Sequence, residues 1–101
     1  MVDLSYLPRE ISKLKEIIDS DNNFDYQTKE NTKKIIDKIV HILNDVPNLK
    51  DVYYDDYTIY EFDAIELMDQ CKLIRSIDRY IEDFKQPVIN YIRHFREINA
   101  K

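Results

Sequence analysis

Apolar residues near the start of the chain recur every three or four positions, the spacing of one face of an α-helix. The members of this stripe are Leu4, Leu7, Ile11, Leu14 and Ile18. Pro8 fits the first turn of such a helix, where its missing N–H needs no partner, and Asp3 or Ser5 can serve as the N-cap. The polar segment 19–25 then predicts a loop.

A second apolar stripe predicts a second helix, which begins near Asp25, a good N-cap residue. The members of this stripe are Ile35, Ile36, Ile39, Val40, Leu43 and Val46. The first two turns of this helix, residues 27–34, are polar and contribute little to the predicted core. Pro47 disfavours helical backbone at the residue before it, so we expect the second helix to end there.

A third helix is predicted from about Thr58, because Thr58 and Glu61 have the spacing of a capping box. The apolar positions expected on its core side are Ile59, Phe62, Ile65, Met68, Leu73, Ile74, Ile77, Ile81 and Phe84. A strand over residues 52–60 is the alternative for the first part of this segment. No other segment alternates with a period of two residues, so such a strand lacks a pairing partner.

Pro87 interrupts the helical pattern, which resumes at Val88 and continues through Ile92, Phe95 and Ile98. A turn at residues 85–86 followed by a separate fourth helix gives the predicted fold, a small all-α antiparallel bundle of four helices in one domain, residues 1–101. The alternative is three helices, the last of them long and kinked at Pro87, with a protruding arm that invites a homodimer. The absence of glycine favours helices in both cases, because tight hairpin turns usually need glycine.

Charge is distributed unevenly along this predicted bundle. Residues 51–70 contain seven carboxylates, no Lys or Arg, and four of the eight tyrosines. Residues 71–101 carry a net charge of +3, while the whole chain carries −5. A protein that binds nucleic acid through its overall charge is usually basic, so this balance makes nucleic acid an unlikely main ligand.

The acidic, tyrosine-rich segment is the predicted site of partner binding, because tyrosine is enriched at interfaces and the carboxylates suit a basic surface. The predicted contact residues are Tyr53, Tyr54, Asp55, Asp56, Tyr57, Tyr60, Glu61 and Asp63. We expect a small inhibitor or adaptor, of the kind that a virus or mobile element encodes, which docks on a larger protein with a basic surface. Such a surface can also imitate the charge and stacking of nucleic acid.

Two alternative functions remain open on the sequence. In the first, the chain is a subunit of a nucleic-acid complex and uses basic residues of its C-terminal part. These residues are Lys72, Arg75, Arg79, Arg93 and Arg96. In the second, the chain is an immunity-type bundle that binds one toxin tightly.

Residues typical of enzymes are sparse, and we expect no catalytic site, cofactor or metal. His41 and His94 lack the Glu-x-x-His spacing of di-metal bundles, and the lone Cys71 is predicted to be a buried thiol. Asp63, Glu66 and Asp69 recur every three residues, as on a solvated helix face. The first ten residues lack signal-peptide features and no apolar run is long enough to cross a membrane, so we expect a cytoplasmic protein.

Overall fold

The structure is a computed structural model that describes residues 4–71 and 75–101. Within these ranges the chain forms four α-helices and no strand. The helices are α1 (Leu7–Ser20), α2 (Tyr26–Asp45), α3 (Tyr54–Cys71) and α4 (Arg75–Asn99), with a short 3₁₀ turn at Val46–Asn48. The predicted all-α bundle of four helices is therefore confirmed.

The four helices surround one apolar core, to which each contributes buried side chains. α1 packs against α2 and α4, α2 packs against α3, and α3 packs against α4. The bundle measures 46 × 24 × 18 Å. Of the described helices, none is both long enough and apolar enough to cross a membrane.

Ion pairs between neighbouring helices define their antiparallel direction. Along α1 and α2, Lys15 pairs with Asp37, and Lys33 Nζ lies 2.9 Å from Asp19 Oδ1. Residue numbers therefore increase along α1, from 15 to 19, in the direction in which they decrease along α2, from 37 to 33. Along α3 and α4, residue 61 pairs with residue 93 and residue 69 with residue 85, which gives the same antiparallel relation.

The predicted core faces of α1 and α2 are confirmed. In α1, Leu7, Ile11, Leu14 and Ile18 are buried, and Pro8 lies in the first turn. In α2, the buried members of the predicted stripe are Ile36, Ile39 and Leu43, with Val46 directly after the helix; Ile35 and Val40 are partly buried against the core.

The caps of α1 and α2 confirm one prediction and correct another. The Asp25 carboxylate accepts a 2.7 Å hydrogen bond from the Thr28 N–H at the start of α2. The N-cap of α1 is Tyr6, with no side-chain cap bond, so Ser5 does not have the predicted role, and Asp3 lies outside the described residues. α2 ends at Asp45, before Pro47 as predicted.

The start of α3 differs from the prediction. The helix begins at Tyr54, and the Asp56 carboxylate accepts a 2.9 Å hydrogen bond from the Tyr53 N–H. This bond caps the helix, because it satisfies one of the backbone donors that a helix start leaves unpaired. The predicted capping box of Thr58 and Glu61 is wrong, since both residues lie inside the helix. The sequence left open whether residues 51–57 are an irregular or a helical lead-in; residues 54–57 are helical and 51–53 are not.

The break between the last two helices also differs from the prediction. α3 ends at Cys71 and α4 begins at Arg75, so the predicted turn at residues 85–86 is wrong. α4 instead continues through Pro87. A proline inside a helix costs about 3 kcal/mol. Val88 and Ile92 beyond the proline are buried in the same core as Ile81 before it, and this burial offsets that cost. The predicted core residues Leu73 and Ile74 lie outside the described residues.

We predict that Pro87→Ala stabilises the protein. In a continuous helix, alanine restores a backbone N–H donor and removes the clash of the proline ring, so we expect unfolding to cost about 1–2 kcal/mol more. The measurement is urea unfolding followed by circular dichroism. Gln86→Ala, at the exposed neighbouring position, is the control and should change stability by less than about 0.5 kcal/mol. Unchanged or lower stability of Pro87→Ala is the result expected if Pro87 began a separate helix, and would contradict the continuous α4.

Candidate protein-binding surface on the third helix

The rotation of α3 about its own axis decides which residues of the acidic segment reach solvent. Its core-facing residues follow a spacing of four and three, which keeps them on one side of a helix. These residues are Tyr57, Glu61, Ala64, Met68 and Cys71. The predicted core residues Ile59 and Phe62 point the other way, and are 58% and 66% exposed. Their assignment to the core was therefore wrong.

A buried ion pair accompanies this rotation. The Glu61 carboxylate is only 9% exposed, and it accepts hydrogen bonds of 2.8 and 3.3 Å from the Nη2 and Nε atoms of Arg93. Arg96 Nη1 lies 3.8 Å from the same carboxylate. A buried carboxylate requires such partners, because removing a charge from water costs several kcal/mol. Glu61 therefore joins the middle of α3 to the C-terminal half of α4.

Two tyrosines of the segment strengthen the same junction. The Arg96 guanidinium lies over the Tyr54 ring, 4.1 Å from its centroid, which is a cation–π geometry. Tyr57 is fully buried, and its hydroxyl donates a 3.1 Å hydrogen bond to the Leu49 carbonyl. The first turn of α3 is thus held from two sides, by α4 and by the loop that precedes the helix.

Opposite the core side, α3 presents apolar and acidic side chains to solvent. Ile59 and Phe62 are neighbours at i and i+3. Asp55 precedes Ile59 by four positions and Glu66 follows Phe62 by four, so the two carboxylates lie at either end of the apolar pair. We call the exposed residues Asp55, Ile59, Phe62, Asp63 and Glu66 the α3 outer face.

The structure divides the eight predicted contact residues. Tyr53, Tyr54, Asp55 and Asp63 are exposed, and Asp56 and Tyr60 are half-buried. Tyr57 and Glu61 are buried and cannot contact a partner on this surface, which corrects their assignment. The sequence interpretation did not include Ile59, Phe62 and Glu66 in this surface, although all three are exposed. The core side of α3 could have been recognised from the regular helical spacing of residues 57, 61, 64, 68 and 71, although one of these residues, Glu61, is charged.

The predicted nucleic-acid residues do not form one free basic surface. Arg93 and Arg96 pair with Glu61 within the chain. Arg75 and Arg79 are exposed near the start of α4, and Lys72 lies outside the described residues. The acidic and basic segments therefore neutralise each other in part across the α3–α4 contact.

A groove of about 610 Å³ runs between α2 and α3, beside the outer face. Its two half-buried apolar residues are Ile42 from α2 and Leu67 from α3. The exposed lining residues are Asp37, Lys38 and His41 on the α2 side and Asp63, Glu66 and Gln70 on the α3 side. Asp63 and Glu66 thus belong both to the outer face and to the groove.

The histidines and the cysteine, which enzymes often use in catalysis, contact neighbouring side chains of the bundle or lie in its core. His41 Nε2 lies 2.9 Å from Asp45 Oδ2 on the exposed side of α2, and the His94 ring contacts the Phe95 ring. In residues 4–71 and 75–101, no group of three or more His, Cys, Asp or Glu side chains is arranged to hold a metal ion. Burial raises the pKa of the Cys71 thiol to about 11, so the thiol stays protonated at neutral pH.

Comparison with protein-family models, with characterised proteins and with solved structures finds no match to this chain.

We predict that Glu61→Gln lowers stability by about 2 kcal/mol, because it removes the charge-assisted hydrogen bonds from Arg93 and leaves the nearly buried Arg96 with Glu97 as its remaining carboxylate neighbour. The measurement is urea unfolding at neutral pH. Glu66→Gln removes the same charge from an exposed site of the same helix and should cost less than about 0.5 kcal/mol. Equal stability of the two variants would show that the Glu61 ion pair does not hold α3 to α4.

We predict that Cys71 of the folded protein reacts slowly with Ellman's reagent. With a pKa of about 11, roughly one thiol in a thousand is ionised at pH 8, and the sulfur is buried as well. The reaction should accelerate on addition of guanidinium chloride, when the thiol reaches solvent and regains a pKa of about 8.5. A native-state rate equal to the unfolded-state rate would contradict the placement of Cys71 in the core.

Proposed function

We propose that this chain is a non-enzymatic protein-binding module, a small inhibitor or adaptor that docks the α3 outer face onto a basic surface of a larger protein. The observation that supports the proposal most is the exposure of Ile59 and Phe62, at 58% and 66%, within a segment that has carboxylates and no cations. Apolar side chains that a bundle leaves in solvent, surrounded by charge of one sign, are typical of an interaction surface.

The two kinds of side chain contribute differently to such a complex. Covering the exposed part of Phe62 contributes about 1–2 kcal/mol, and Ile59 contributes a similar amount. The carboxylates at the edge of the outer face mainly attract the partner over a distance and exclude acidic surfaces, so they act on the association rate and on salt dependence. Tyr53 and Tyr54 at the start of α3 are exposed as well, and the Tyr54 ring also contacts Arg96 of α4.

The partner we favour is a protein that also binds nucleic acid through its basic surface. Phosphate-binding surfaces combine Lys and Arg with aromatic or planar groups that stack on bases. The outer face offers the complementary set, which is negative charge beside an exposed aromatic ring. Direct nucleic-acid binding by this chain receives less support, because Arg93 and Arg96 already pair with Glu61.

The proposal is tested with the triple variant Asp55→Asn, Asp63→Asn, Glu66→Gln. Wild type and variant, each carrying a tag, are used to purify partners from the cell of origin, and the affinity of each co-purified protein is then measured at low and high salt. Exposed ion pairs contribute about 0.2–1 kcal/mol each, so the triple variant should bind about 3- to 100-fold more weakly and lose most of the salt dependence.

The matched control removes the same number of charges elsewhere. Glu16→Gln, Asp78→Asn, Asp83→Asn changes three exposed carboxylates on α1 and α4, away from the outer face, and should retain wild-type affinity. A partner that binds all three proteins equally, at every salt concentration, would eliminate the α3 outer face as the docking surface.

A further inference from the structure

We infer that the groove between α2 and α3 receives a basic, amphipathic α-helix of the partner protein. This inference rests on the proposed function and adds to it the class of partner element and its position. The groove adjoins the α3 outer face through Asp63 and Glu66, which line both. A helix that follows the groove would therefore engage the outer-face carboxylates with one flank and the groove with its apolar side.

The dimensions and lining of the groove suit an apolar side chain. Its volume of about 610 Å³ is within the range of roughly 300–1,000 Å³ found for clefts that bind ligands. Ile42 and Leu67 are half-buried and pack on the core from opposite sides of the groove. The exposed rims are polar, so the groove has an apolar base and charged edges, the arrangement that accepts an amphipathic helix.

Charge complementarity identifies the flank that faces α3. On the α3 rim, Asp63 and Glu66 are exposed carboxylates one helical turn apart. On a docked helix, Lys or Arg residues spaced by three or four positions would lie opposite them. The α2 rim differs, because Lys38 lies beside Asp37 and Asp37 is already paired with Lys15. The two rims therefore favour one orientation of the partner helix, with its basic flank toward α3.

Other kinds of occupant fit less well. Addition of a β-strand needs a sheet edge as a template, and residues 4–71 and 75–101 form no strand. A nucleic-acid backbone would be repelled by the carboxylates of Asp37, Asp63 and Glu66. A helix satisfies its own backbone hydrogen bonds and needs only side-chain contacts, which this groove provides.

The test uses a synthetic helical peptide of about 18 residues, with leucines at helical spacing, lysines on one flank and glutamines elsewhere. Binding to the ¹⁵N-labelled full chain is followed by the shifts of backbone amide signals. We expect the largest changes in residues 37–42 and 63–70, the two segments that contain the groove lining. A peptide with glutamates in place of the lysines, and one with the leucines out of register, should each bind at least tenfold more weakly.

A pair of single variants separates the groove from surface that plays no part in the proposed docking. Ile42→Ala removes apolar surface from the groove and should weaken peptide binding about tenfold. Ile98→Ala makes the same change at an exposed position of α4, outside both the groove lining and the outer face, and should change peptide binding less than about threefold. Circular dichroism establishes that both variants are folded. The shift map requires no variant, so the inference remains testable if Ile42→Ala unfolds.

Three outcomes would overturn the inference, and each can be distinguished from a failure of the proposed function. If the peptide binds but shifts only residues 53–62, docking on the outer face stands and the groove is not the site. If the peptide does not bind, while the outer-face triple variant still loses its natural partner, the partner element is not a helix of this kind. If light scattering shows that the protein is a dimer, and the groove amide signals do not shift when the peptide is added, the occupant of the groove is a second copy of this chain.

Discussion

The carboxylate of Glu61 is the constraint on which the surface of this bundle depends. A charge that is removed from water needs charged partners, and the half-exposed Arg93 and the nearly buried Arg96 are those partners. Once Glu61 faces α4, the geometry of a helix puts Ile59 and Phe62 on the solvent side of α3. Tyr57, Ala64, Met68 and Cys71 bury the same side of α3, so the ion pair and the apolar contacts favour the same rotation of the helix.

The opposite charges of the two C-terminal segments meet in part within the chain. Along the α3–α4 contact, Glu61 pairs with two arginines and Asp69 pairs with Lys85. The acidic and the basic candidate surfaces of the sequence analysis therefore share one internal interface. The carboxylates that face away from it are Asp55, Asp63 and Glu66, and their charge has its main effect on solvent and on other molecules.

Local sequence patterns predicted α1 and α2, whereas contacts between distant residues determine the core side of α3 and the continuity of α4. In α1 and α2 the apolar stripes are regular and Asp25 is a good cap, so the helices and their buried faces follow from residues close together in the sequence. In α3 the core side includes Glu61, and its arginine partners are more than thirty positions away, beyond any local pattern. The same applies to Pro87, because its local penalty in α4 is offset by contacts with the other helices. For the candidate site, the sequence indicated the segment, which stays a prediction, while the choice of exposed residues within it required the rotation of α3.

The last residue of the chain lies beside the loop that leads into α3. The Lys101 N–H donates a 3.2 Å hydrogen bond to the Val52 carbonyl, and Lys101 Nζ lies 3.1 Å from the Asp51 carboxylate. Asp51 has a φ of 62°, a left-handed conformation that few residues other than glycine adopt readily, and this turn brings the loop to the end of α4. A fluorophore or fusion partner attached after Lys101 would therefore lie beside the loop that leads into α3, close to the proposed docking surface. Labels intended to report on docking belong on the opposite side of the bundle, on the exposed side of α1.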